Sequence, residues 1–263
     1  MVIGRSRRGL VIGVGREAFR PSPVFLALVA LCVTGGVMAW NDFGNPSLDV
    51  FVFVVAGWLV SLCLHEYAHA LLAYRAGDVS VAGRGYLTLN PFKYTHPLLS
   101  LVLPVLFLLM GGIGLPGGAV WVDRHAIRGR LADSLISAAG PAVNVVLSIG
   151  LCLPFFFVDN VGEHLTFWAG LAFLAFLQIT ASLLNLAPVP GVDGGNLLKP
   201  WLPPNWQRGF DMVAPFGMLL LIAVLFEPRA NTIFFGVVFA FSDLLGLPSD
   251  LYSIGFGLLQ FWR

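Results

Sequence analysis

His65, Glu66 and His69 are the residues of this 263-residue chain whose types and spacing can do chemistry. They form an H-E-x-x-H motif inside an apolar run from Val50 to Ala73. On a helix, residues four apart lie one turn apart on the same face, so the two imidazoles can share one metal ion. Zinc is the expected ion, because it accepts nitrogen ligands in a tetrahedral site with one position left for water. Glu66 then sits beside the ion, where its carboxylate can take a proton from that water. The setting adds weight to the motif. An ionisable group at the centre of a membrane helix costs roughly 2.5–3.5 kcal/mol on insertion scales, so such groups are rarely kept there without a function.

Two histidines do not complete a catalytic zinc site; a third protein ligand is required. His96, His125, His164 and a few carboxylates are candidates. One stretch stands apart, from Asn185 through Pro188 and Pro190 to Asp193, Gly194 and Gly195. The prolines stop the preceding helix. Freed backbone at membrane depth is tolerated where it lines a cavity or is buried in protein. The break delivers Asp193 to such a cavity, and the two glycines permit close backbone approach. The alternative is a helix-terminating loop with an incidental aspartate.

The elements that must position these groups are membrane helices. The chain is 57% hydrophobic and 11% charged, against about 25% charged in a soluble domain. A net charge of +1 suggests no nucleic-acid surface. Cys32, Cys63 and Cys152 all lie in apolar runs and read as free, lipid-buried thiols. No internal repeat, low-complexity linker or long polar segment marks a separate soluble domain.

A basic start (Arg5, Arg7, Arg8, Arg16, Arg20) precedes the first apolar run, Val24 to Trp40. It reads as an uncleaved first helix with a cytoplasmic N-terminus; the alternative is a signal peptide cut near Val37, Met38 and Ala39. Asn41 to Ser47 is a turn, and a second helix, about Leu48 to Ala76, returns inward with the motif in its last third. Leu87, Thr88 and Leu89, between Gly85 and Asn90–Pro91, carry a strand-like signal, with an interfacial loop as the alternative. Pro97 to Val120 is apolar but broken by glycines and prolines, so it is a third span or a re-entrant hairpin. Further helices are expected near Ser134 to Val158, Leu165 to Leu186, Phe210 to Phe226 and Ile233 to Trp262, the last interrupted at Asp243, Gly246, Pro248 and Asp250. The expected fold is an all-α polytopic membrane protein. It has about six transmembrane helices, a re-entrant segment and a short membrane-associated β strand. Residues 1–23 form a basic cytoplasmic segment, and residues 24–263 form one membrane-embedded domain with its core at 48–199.

Three patterns in order resemble the site-2 protease family of membrane-embedded zinc metalloproteases. They are His65-Glu66-x-x-His69, Gly140-Pro141-x-x-Asn144, and Asn185-x-x-Pro188-x-Pro190-x-x-Asp193-Gly194. They span about half the chain. Leu87 to Pro91 also resembles members without large extramembrane domains, and no PDZ-like or CBS-like region is present.

The resemblance implies that His65, His69 and Asp193 bind one Zn2+ and that Glu66 is the general base. It implies that Asn185 steadies the substrate or its scissile carbonyl. Gly140, Pro141 and Asn144 would pack a neighbouring helix against the site; for Asn144, a structural interhelical hydrogen bond is an equal alternative. The strand at Leu87, Thr88 and Leu89 would offer an edge to an unwound substrate. The implied function is regulated intramembrane proteolysis at the cell membrane, with a transmembrane protein as substrate, the lipid bilayer as surroundings and the site near the cytoplasmic side. The rivals are a cation-binding transporter and an inactive membrane scaffold.

Topology ties these readings together. If Asp193 meets the two histidines, the second helix and the helix before Asp193 run in the same direction, with an odd number of crossings between. The helix near Ser134 to Val158 supplies one. Pro97 to Val120 must then be re-entrant, or Asp193 would end about 30 Å of hydrocarbon away. The alternative is a full third span, with His96 or His125 as third ligand.

Overall fold

Local sequence signals start and stop the helices of this computed structural model, which describes residues 15–94, 106 and 120–260. Ser22 opens α1 (Pro23–Trp40) by accepting a hydrogen bond from the Phe25 amide at 3.1 Å, and Pro23, which has no N–H to leave unpaired, fills the first position. Asn45 and Pro46 do the same for α2 (Pro46–Ala76), where Asn45 Oδ1 accepts from the Ser47 amide at 2.9 Å. Gly77, at φ 120°, ends α2 in a conformation that side-chain-bearing residues rarely adopt. α3 (Arg130–Cys152) and α4 (Leu165–Asn185) follow. After a loop come α5 (Asp193–Leu198), α6 (Pro204–Val213), α7 (Gly217–Phe226), α8 (Pro228–Leu244) and α9 (Ser249–Leu259).

Among the described residues, five helical stretches are long and apolar enough to cross a membrane: 17–40, 46–76, 130–156, 161–185 and 204–226. α8 and α9, bent by 118° at the break near Asp243, supply a sixth if they act as one span. The chain is thus an all-α, multi-pass membrane protein, as its composition requires. Cys32, Cys63 and Cys152 are free thiols.

α4 lies at the centre. Nearly every residue of it is buried, because α1, α2, α3, α8 and α9 surround it. Phe173, Leu177 and Ile179 of α4 pack with Val50, Phe53 and Trp58 of α2, Val238 of α8, and Leu251 and Leu259 of α9. Small residues let the helices come close, as they must where lipid removes the hydrophobic advantage of helix association. At Gly35 of α1 an added Cβ would lie 2.6 Å from the Phe53 amide nitrogen of α2. α2 and α4 run in the same direction and α3 runs back between them, so the end of α2, the start of α3 and the end of α4 meet at one end of the bundle.

The strand expected at Leu87, Thr88 and Leu89 is not formed. Tyr86–Thr88 is one 3-10 turn between Gly85 (φ 78°) and Leu89 (φ 58°), two left-handed residues that reverse the chain. The Thr88 hydroxyl bonds back to the Gly85 carbonyl at 2.7 Å, and the Thr88 carbonyl accepts from the Ser22 amide at 2.7 Å. Leu87 is fully buried and Leu89 is 8% exposed, so no edge is offered to a substrate. Both leucines plug the protein, a task for which a tight turn and a strand use the same residues. The re-entrant segment expected at 97–120 lies, apart from Leu106 and Val120, outside the described residues. The residues that flank it lie beside the second half of α2. Tyr94 donates its hydroxyl to the Cys63 carbonyl at 3.3 Å, and the Val120 amide donates to Glu66 Oε2 at 3.0 Å.

The α1–α2 contact generates a test. Gly35→Val should destabilise the protein by about 1–3 kcal/mol, the usual range for overpacking. Gly150→Ala, where an added Cβ meets nothing within 4 Å and alanine favours the helix, should not lower stability. Thermal unfolding in detergent measures both.

Candidate metal centre

Residues four apart on α2 put the His65 and His69 rings on one face, with Nε2 atoms 3.1 Å apart. The chain after α4 brings the third group. Pro188 forbids further helix, Gly191 turns at φ 89°, and Asp193 starts α5 directly beneath the rings. Asp193 Oδ2 lies 3.1 Å from His65 Nε2 and 3.3 Å from His69 Nε2. Ligand atoms held 2.0–2.1 Å from a tetrahedral ion are about 3.3–3.4 Å apart, so these three atoms outline one face of a zinc tetrahedron.

The remaining ring nitrogens are held by α3. His69 Nδ1 lies 2.7 Å from the Ile136 carbonyl, which can only accept, so Nδ1 carries the proton and Nε2 presents its lone pair. His65 Nδ1 lies 2.6 Å from Asn144 Oδ1. Gly140 stands between these contacts. A Cβ there would overlap the Nε2 atoms of both histidines. The absence of a side chain at Gly140 leaves open the space beside both Nε2 atoms.

Glu66 is 2% exposed, and its Oε1 is 3.9 Å from His65 Nε2. Its other oxygen is held by the Val120 amide, so the carboxylate is oriented beside the candidate ion position. Together His65, Glu66, His69, Asn185 and Asp193 line a cavity of about 150 Å³, which Val120, Val122, Ile136 and Met218 also border. Asn185, at the end of α4, is buried and makes no side-chain hydrogen bond to any described residue. Its amide is free for something that enters.

The competing ligands are elsewhere. His125 is exposed on a loop. His164 lies at the far end of α4, stacked on Trp40 at 3.7 Å and bonded to the Trp40 carbonyl. His96 lies outside the described residues. Sequence reading missed Gln178, which bonds Asn144, Ser61, which bonds Gln178, and the Val120 amide. The first two carried a signal, since each is a polar residue inside an apolar helix.

Gly140→Ala tests the geometry. The added methyl displaces the ligand atoms, so zinc content should fall well below one per chain, while His164→Ala should keep full zinc. Metal analysis of both purified variants measures it.

No family model matches the sequence, and no solved structure matches the chain. Curated relatives do. The chain is 48% identical over 252 residues to a Mycolicibacterium smegmatis protein named "Putative zinc metalloprotease Rip2", covering 94% of this chain and 96% of the relative. The same-named protein of Mycobacterium tuberculosis is 47% identical over the same shares. YwhC of Bacillus subtilis, with the same designation, is 26% identical over 219 residues, covering 78% of this chain and 95% of the relative. With that identity along nearly its whole length, and with His65, His69 and Asp193 grouped so that they could hold a metal, the chain belongs to the site-2 protease family of intramembrane zinc metalloproteases.

Proposed function

We propose that this chain is a site-2-type endopeptidase that cuts peptide bonds in the transmembrane segments of other proteins. In this reading His65, His69 and Asp193 hold zinc, Glu66 is the general base and Asn185 steadies the scissile carbonyl. Residues 24–263 act as one membrane-embedded domain with its core at 48–199. The observation that supports it is the meeting of three ligand atoms, within 3.1–3.3 Å of one another, beside a buried and oriented glutamate. Zinc in that position supplies an acidified water and a Lewis acid for the carbonyl.

The chain's own groups do the rest. Glu66 takes a proton from the attacking water and later gives it to the leaving amine. Asn185 is free to donate its amide N–H to the carbonyl oxygen as negative charge develops there. The cavity of about 150 Å³ has room for about five waters but not for a helix about 10–12 Å across. A substrate helix must therefore unwind, which exposes the carbonyl it hid in an intrachain bond.

Charge supports a cytoplasmic site. Arg20, Arg75, Arg84, Lys93, Arg124, Arg128, Arg130 and Lys199 all belong to segments at the end of the bundle that holds the site. The segments 41–49 and 153–164 at the other end contain no Lys or Arg. His65 is about 29 Å along α2 from its start, which is near the inner boundary of the hydrocarbon.

Glu66→Gln should keep zinc and lower cleavage of a model transmembrane substrate by about 100- to 10,000-fold. Asp193→Ala should lose the metal, and Asn185→Ala should keep the metal while kcat falls by about 100-fold or more. Normal turnover by the Glu66 variant removes the base, and full zinc occupancy without Asp193 removes the third ligand. A cysteine introduced at position 125 of a cysteine-free variant should react with reagent applied from the cytoplasmic side. Labelling from outside alone overturns the orientation.

A further inference from the structure

Four polar groups from α2, α3 and α4 form a chain of hydrogen bonds that ends on His65. The Ser61 hydroxyl lies 2.7 Å from the Trp58 carbonyl, which can only accept. Its single proton is thereby used, so Ser61 Oγ accepts from Gln178 Nε2 at 2.8 Å. With its nitrogen turned to Ser61, Gln178 offers Oε1 to Asn144 Nδ2 at 3.2 Å. Asn144 in turn has only Oδ1 left for His65 Nδ1, at 2.6 Å. Each bond pairs one donor with one acceptor, and donation runs one way, from the imidazole to the Trp58 backbone carbonyl. Gln178 is fully buried, and Asn144 and Ser61 are 4% and 5% exposed, so water does not compete for these bonds. A fully buried glutamine among Phe176, Leu177 and Ile179 is costly without a purpose.

We infer that Gln178, anchored by Ser61, is a positioning residue for the metal centre: it fixes the orientation of the Asn144 amide and thereby keeps the His65 proton on Nδ1 and the Nε2 lone pair directed at the metal. The inference rests on His65 being a zinc ligand. Without Gln178 the Asn144 amide can turn its nitrogen toward His65. The ring then favours a proton on Nε2, which must be displaced before metal binds. Ser61 supplies the polarity of the chain, and Gln178 touches none of the ligand atoms itself.

The test is a double-mutant cycle on the full chain in detergent, with zinc affinity read by chelator competition. Gln178→Met keeps the size and removes both hydrogen bonds; affinity should fall by about 10- to 100-fold, as for lost outer partners of metal ligands. In an Asn144→Asp background the same substitution should cost much less, because a carboxylate is alike whichever way it turns. Ser61→Ala, a milder change, should weaken zinc by about fivefold, the worth of one ordinary hydrogen bond. Unchanged affinity in Gln178→Met, or an equal loss in both backgrounds, overturns the positioning role. If Gln178→Met does not fold, unchanged affinity in Ser61→Ala overturns it instead. His65→Ala is the control. Full zinc in that variant means the site reading has failed, whereas lost zinc there with no effect at Gln178 means that only the relay has failed.

Discussion

Two stripes of side chains face each other across the contact between α2 and α3, and Gly140 sets how closely they meet. On α2 the stripe is His65 and His69; on α3 it is Ile136, Gly140 and Asn144, at intervals of four. The helices run in opposite directions, so His69 meets Ile136 and His65 meets Asn144. The missing side chain at Gly140 faces the two Nε2 atoms in the middle. One close approach thus does two things. It brings acceptors within reach of both Nδ1 atoms, and it leaves a space on the Nε2 side. A larger residue would separate the stripes and fill the space.

Burial in an apolar bundle explains why the stripes are completed by further polar residues. Hydrocarbon offers no water to an unpaired amide or hydroxyl, so each must find a protein partner. Asn144 finds His65 on one side and Gln178 on the other, and Gln178 finds Ser61. The apolar cluster around α4, which includes Phe173 and Leu177, packs together the helices that carry these groups.

Asp193 belongs to a different kind of structure. It is carried on a loop whose backbone folds tightly on itself, with Gly194 against the Leu186 and Ala187 carbonyls. Proline ends the helix and glycine permits the return. The Asp193 carboxylate therefore reaches the histidines along a path no continuous helix could take. Glu66 is steadied by the Val120 amide rather than by the bundle, so the site joins rigid helices to the segment around Val120.

What the sequence determined was local. The spacing of His65 and His69, the stop at Pro188 and Pro190, the helix starts at Ser22 and Asn45 and the break near Asp243 all depend on residues within a few positions of each other, and each is readable from the chain. Asp193 was singled out because the prolines beside it break a membrane helix. The alternating residues at Leu87 to Leu89 misled, because periodicity reports which side chains are buried and not the backbone that buries them; the left-handed residue at Leu89 turned them into a single helical turn. Tertiary structure alone decided the rest. His65 and Asn144 are 79 positions apart, Asn144 and Gln178 34, and Gln178 and Ser61 117. No local pattern relates such residues, because only the packing of α2, α3 and α4 sets which polar groups share one layer. The same packing set Gly140 against the Nε2 atoms of both histidines, where no side chain would fit.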